Sequence, residues 1–283
     1  MRVLRLLIAI VALAGAPAAA GAPEPWRILP PTPELPKPAE SGWAPVDGVR
    51  IWYAEFGEPG GEPVLLLHGG LANSNYWGNQ VRALMTHHRV IVMDSRGHGR
   101  STRDAQPFGY DLMAKDVVGL LDYLKVKRVA LVGWSDGAII GLDVAMHHPE
   151  RLSKLFAFAA NYDTAGVADV DKSPIFTQFE ARAGHEYAAL SATPHDYGAF
   201  LKAITQMWAH EPNWKKSDLA RITVPTWIVD ADHDEAITPD QPRTMADWIP
   251  NAGLLIEPDV SHFAFIQDPD QFTRDVEHFL AKR

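Results

Sequence analysis

The stretch that decides the fold is RVALVGWSDGAII, Arg128–Ile140. It has three parts. Arg128–Gly133 is a short apolar run rich in β-branched residues, which predicts a strand buried on both faces. Ala138–His148 carries apolar residues at helical spacing and stops before Pro149, which predicts a helix. Between them lies Gly133-Trp134-Ser135-Asp136-Gly137, a serine with a glycine two residues away on each side. A strand that turns straight into a helix through G-x-S-x-G holds its serine on a strained backbone, so tight that its neighbours two residues away must lack side chains. The hydroxyl then stands at the head of a helix, where the positive end of the dipole favours a developing anion. Ser135 is therefore the candidate nucleophile.

The same alternation of periods runs outward in both directions. Strands are predicted at Val49–Phe56, Val64–Leu67, Arg89–Asp94, Leu152–Ala160, Pro225–Asp230 and Gly253–Glu257. Helices are predicted at Asp111–Leu124 and Asp270–Leu280. Strand and helix in alternation specify an α/β fold with a mostly parallel sheet covered on both faces. Such sheets bind ligands at the carboxyl ends of their strands. One region breaks the rhythm. Residues from about 161 to 218 contain no buried strand run but two helical patterns, Ile175–Leu190 and Tyr197–Trp208, and are too long for a simple connection. They predict a helical cap over the strand ends.

A serine needs a base to take its proton. Two later loops, each following a predicted strand, offer the partners in the order Ser, acid, His. His262, in Val260-Ser261-His262-Phe263, is the candidate base. Asp234, in Asp230-Ala231-Asp232-His233-Asp234-Glu235, is the candidate acid that orients it, preferred on loop position to Asp232. His233 shares the acid's loop and is badly placed to reach the serine. An oxyanion needs backbone donors. The Asp136 amide follows the nucleophile, and the loop His68-Gly69-Gly70-Leu71 supplies the second, from Gly70 or alternatively Leu71. His68 reads as an anchor for that loop. Leu71, Trp134 and Trp208 are candidate substrate contacts. Phe176, Phe179, Met207 and Trp214 either join them or form the cap's own core. The Asp136 carboxylate has two equal readings: it faces the pocket and pairs with a substrate amine, or it hydrogen-bonds nearby backbone. Asp94–Ser101 (DSRGHGRS) reads as a structural turn.

The bulk composition narrows the function class. The chain has 283 residues, 47% hydrophobic and 22% charged, enough for one large domain. Its net charge is −9 with no basic block, which argues against nucleic acid and anionic membrane as partners. No HExxH or phosphate-loop spacing occurs and no cysteine is present, so neither a dedicated metal site nor a cofactor is expected.

Arg2 and Arg5, the apolar run Leu6–Ala14 and the Ala18-Ala19-Ala20 site give residues 1–20 the form of a secretory signal peptide. That run is too short to span a membrane comfortably. A secreted or periplasmic location without disulfides follows. Residues 21–42 hold seven prolines and read as an extended linker, with the folded domain over residues 43–283.

Taken together, HGG at Gly70, DSRGHGRS from Asp94, GWSDG around Ser135, DADHDE around Asp234 and VSHF around His262 resemble the α/β-hydrolase superfamily. The resemblance implies an eight-stranded, mostly parallel sheet and a Ser-His-Asp triad. GWSDG before an apolar helix looks like the valacyclovirase-like and enol-lactonase-like esterases. The chain departs from these at Ala138 and Ala231, where glycine is more usual. The expectation is a serine hydrolase acting on a small or medium carboxylic ester. A lactonase or cofactor-free perhydrolase/haloperoxidase is the alternative, and a non-catalytic binding protein a weaker one.

Overall fold

A computed structural model describes residues 24–282. The signal peptide expected over residues 1–20 lies outside them. The elements follow in the order β1 (Glu40–Val46), β2 (Val49–Phe56), β3 (Glu62–Leu67), α1 (Gly78–Leu84), β4 (His88–Met93), α2 (Tyr110–Tyr123), β5 (Val129–Trp134), α3 (Asp136–His147) and β6 (Leu152–Phe158). Then come α4 (Pro174–Leu190), α5 (Tyr197–Trp208), α6 (Lys216–Leu219), β7 (Thr226–Ala231), α7 (Asp240–Trp248), β8 (Ala252–Glu257), α8 (Ala264–Gln267) and α9 (Pro269–Ala281).

The eight strands form one sheet in the order β1-β2-β4-β3-β5-β6-β7-β8. β1 and β2 are antiparallel to their neighbours, and all pairings from β4 to β8 are parallel. The apolar runs explain the layering. Every residue of β5 is buried, which requires cover on both faces. α2 and α3 pack together, as do α1 and α9. From β3 the chain first moves outward to β4, then returns to the other side of β3 as β5. That reversal opens a crevice at the carboxyl ends of β3 and β5. The glycine loop after β3 and the serine turn after β5 are its two walls.

The N-terminal boundary differs from the sequence reading. Strand pairing begins at Glu40, because the Asp47-Gly48 turn, with both φ angles positive, closes a two-residue hairpin that pairs Val46 with Val49. Pro45 is tolerated because β1 is an edge strand. The proline segment before it is extended but docked. Arg182 of α4 donates to the Pro30 and Leu29 carbonyls, Gln267 to Ile28 and Arg82 to Glu34. Thr32 donates to Glu186, also on α4. Prolines lack N–H donors but keep their carbonyls, so side-chain donors can fasten such a segment. Between β6 and β7, α4 and α5 form the cap. Among the described residues no helix is long and apolar enough to cross a membrane.

Candidate active site

Ser135 caps α3 with φ 54° and ψ −122°, far from the basins that side-chain-bearing residues prefer. The flanking glycines show why the turn exists. A Cβ on Gly133 would lie 2.4 Å from the Gly137 carbonyl oxygen, and one on Gly137 would lie 2.2 Å from that of Leu67. Helix and strands meet here at backbone contact. Gly137→Ala is therefore expected to cost about 2–3 kcal/mol or more, since no flexible side chain can yield. Thermal melting checks this, and an unchanged Tm would contradict the close approach.

His262, in the loop after β8, is 3% exposed. Its Nδ1 lies 2.8 Å from Asp234 Oδ2 and 3.1 Å from Oδ1. Asp234 is held by its own loop: its Oδ1 accepts the Ala236 amide at 2.7 Å and the Ile237 amide at 2.9 Å. Burial alone would raise Asp234, but the charge and hydrogen bond of His262, with these amides, hold it below the usual carboxylate range. Burial likewise pulls His262 down, but Asp234, then Glu235 and Asp136, hold it above the usual imidazole value. Glu235 also accepts the His262 backbone amide at 3.2 Å. The alternative acid, Asp232, is exposed, and His233 stacks on Trp26 with ring centroids 4.0 Å apart.

Ser135, His262, Asp136, Gly70, Leu71, Trp134 and Trp208 all line one cavity of about 140 Å³. Its walls are mainly apolar and include Phe176 and Phe179 of α4. Met207 and Trp214 do not line it. Met207 is buried and Trp214 packs against the core. The Asp136 amide is the first N–H of α3, a position with no intrahelical acceptor. A Cβ on Gly70 would lie 2.3 Å from the Trp208 ring, so only glycine lets this loop pass beneath the cap. Leu71 adopts φ 62°. His68 fixes the loop: its Nε2 accepts the Ser95 amide at 3.0 Å, so its Nδ1 donates to the Gly69 carbonyl at 2.7 Å. Burial lowers its affinity for a second proton.

The Asp136 carboxylate does not bond to backbone, contrary to one of its two sequence readings. Trp208 Nε1 donates to its two oxygens at 3.0 and 2.9 Å, and the Tyr110 hydroxyl donates at 2.8 Å. Burial pushes Asp136 up to about 6, although these donors and His262 pull it back. It fastens α5 of the cap to the serine turn. Tyr110, Glu180 and Glu211 also line the cavity and escape the sequence reading, since nothing local marks them. Asp94 accepts from Ser74 and Arg100, and Arg96 is bidentate to Asp116, so that turn is structural. Asp232, His233 and Asp259 are the one group among the described residues whose ligand atoms converge within 4.8 Å. All three are exposed and lie outside the cavity.

Comparisons with known proteins agree with this architecture. A family model described as the alpha/beta hydrolase fold matches residues 62–195. The serine hydrolase BPHL of Homo sapiens is 32% identical over 256 residues, covering 83% of this chain and 84% of that protein. This chain belongs to the alpha/beta hydrolase fold family. It is also similar to the non-heme chloroperoxidase CPO-A1 of Kitasatospora aureofaciens, 29% identical over 270 residues, covering 83% of this chain and 98% of the relative. Among solved structures, the enol-lactonase from Burkholderia xenovorans LB400 superposes with a TM-score of 0.68 at 26% identity. It covers 85% of this chain and 100% of its own.

Proposed function

We propose that this alpha/beta hydrolase cleaves small to medium carboxylic esters through an acyl-enzyme on Ser135. One observation carries the reading: a serine on a strained turn shares an apolar cavity with a buried histidine whose Nδ1 is held by a buried aspartate. In this reading His262 Nε2 takes the Ser135 proton as Oγ attacks the ester carbonyl. The Asp136 and Gly70 amides receive the oxyanion. Collapse breaks the C–O bond to the alcohol, which leaves with the proton from His262. Water, deprotonated by His262, then attacks the acyl-enzyme, and its collapse returns the proton to Ser135. A fluorophosphonate probe should label Ser135, and p-nitrophenyl esters of increasing chain length should be turned over beside lactones. Absence of both labelling and turnover would end the hydrolase reading.

Lactone cleavage and perhydrolysis or halogenation without a cofactor use the same three side chains. The enol-lactonase and the chloroperoxidase support keeping them as alternatives. A second feature bears on specificity. Among the described residues, the carboxylates lining the cavity are Asp136, Glu180 and Glu211, and no lysine or arginine lines it. This favours esters that carry an amine. Asp136→Asn keeps one carbonyl oxygen, at the position that accepts from both Tyr110 and Trp208, and removes the charge, so the preference for amino-acid esters over neutral esters should fall about tenfold or more. An unchanged ratio of kcat/KM values would remove the amine idea. Export through a signal peptide, to the periplasm or the medium, belongs to the same proposal and is supported by the pattern of residues 1–20.

A further inference from the structure

The segment before β1 touches both loops that carry the candidate base and acid. Pro25–Arg27 forms a single 3-10 turn. The Trp26 indole stacks on the imidazole of His233, the neighbour of Asp234, with ring centroids 4.0 Å apart and planes 5° from parallel. Two residues on, the Ile28 carbonyl accepts from Gln267 Nε2 at 2.9 Å. Gln267 is the last residue of α8 and turns its amide onto Ser261, the residue before His262. Its Oε1 accepts the Ser261 amide at 2.7 Å, and its Nε2 also donates to Ser261 Oγ at 3.0 Å. These bonds fix which way the side-chain amide faces, because a flip would set its NH₂ against the Ser261 N–H. One Nε2 hydrogen therefore serves the base loop and the other serves the N-terminal segment. Beyond Ile28 the segment is anchored from a third side. Leu29 is 7% exposed, and Arg182 of α4 donates to the carbonyls of Leu29 and Pro30.

We infer that residues 26–30 are a strap that holds the His262 loop in place through Gln267, which is a positioning residue for the base. The inference rests on the reading of His262 as base. His262 sits on a loop, and a base displaced by about 1 Å from its partner can cost on the order of 100-fold in rate. Asp234 holds the His262 ring and Glu235 holds its backbone amide, but both belong to the loop after β7, so these contacts tie one loop to another. Gln267 ties the base loop to α8 by way of the Ser261 amide. The Ile28 carbonyl then occupies the remaining Nε2 hydrogen, so the glutamine has no free donor to draw it into another rotamer. A proline-rich segment suits this task. It starts with few conformations to lose on docking, and its carbonyls remain available as acceptors.

Three measurements on the full chain test it. Gln267→Met keeps the size of the side chain but bonds to neither Ser261 nor Ile28. On short p-nitrophenyl esters its kcat should fall about ten- to hundredfold with KM little changed. Leu29→Asp releases the strap from its other end and alters neither Gln267, Ser261 nor any residue that lines the cavity. Its kcat should fall about tenfold, and in the Gln267→Met background it should lower kcat no further, because the joint is already cut. A Gln267→Met variant as active as the parent overturns the inference, as does a Leu29→Asp loss of the same size in both backgrounds. Hydrogen exchange needs no turnover. The Ser261 amide should exchange faster in Leu29→Asp than in the parent. An unchanged Ser261 rate overturns the inference even if Gln267→Met fails to fold. Faster Ser261 exchange in Leu29→Asp, with a parent protein that neither takes the fluorophosphonate nor turns over esters, would keep the strap and sink the hydrolase reading alone.

Discussion

Ser135→Ala is expected to lower kcat by on the order of 10⁴- to 10⁶-fold while leaving KM and the melting temperature near those of the parent protein. The reason is local. The substitution deletes the Oγ of a residue that lines the cavity but keeps the Cβ, so the backbone stays at φ 54°. Residual activity then comes only from the oxyanion donors and substrate binding. A loss below about 100-fold would show that another group attacks the substrate. Ser135→Gly makes a separate point. It also removes the nucleophile, but glycine tolerates positive φ. The strain at such a site is of order 1–3 kcal/mol, and glycine's extra unfolded-state entropy takes back about 0.5–1 kcal/mol. Ser135→Gly should therefore be as inactive as Ser135→Ala and melt higher. Equal melting temperatures would mean that the turn holds no more strain than this entropy offsets, about 0.5–1 kcal/mol.

Much of the fold is legible in the sequence, and what is not has a physical basis. Buried parallel strands announce themselves as apolar runs, and each predicted run falls within two residues of an observed strand. The serine turn was legible because tight backbone contact admits only glycine at Gly133 and Gly137. β1 was hidden by the composition around it. Its one strong signal, Asp47-Gly48, lies just past a run of prolines, and Pro45 within the strand argues against pairing unless the strand is known to be at an edge. The docking of residues 24–39 was hidden because its partners, Arg82, Arg182, Glu186 and Gln267, are remote in sequence. The cap hid its contacts in the same way. Nothing near Trp208 signals that its indole nitrogen meets Asp136, 72 residues away. Within the short acidic segment around Asp234, Asp230 is buried and Asp232 exposed, and composition cannot say which of several neighbouring acids is buried.

Asp234→Asn is expected to lower kcat by about 10⁴-fold, again without unfolding the protein. Asp234 Oδ1 accepts the Ala236 and Ile237 amides. The asparagine must put its only carbonyl oxygen there, which turns its NH₂ group toward His262 Nδ1, where Oδ2 now lies 2.8 Å away. Nδ1 then becomes an acceptor and the ring proton moves to Nε2, the atom that takes the Ser135 proton in the proposed reaction. The loss therefore comes from the wrong tautomer. The pH profile follows from the same contact. Because Asp234 holds His262 above the usual imidazole value, the acidic limb of kcat/KM in the parent protein should lie above about 6.5. Residual activity in the variant should show that limb at lower pH. Stability carries the signs of both shifts. The raised His262 stabilises the fold below its unfolded pKa of about 6.5, and this is lost as pH rises through its folded value. The lowered Asp234 stabilises above its unfolded pKa of about 3.9, and this is lost as pH falls through its folded value. Both contributions are present together only between about pH 4 and 6.5, so the gap in Tm between parent and Asp234→Asn should be widest there. A gap constant from pH 4 to 9 would mean that the two side chains are not coupled.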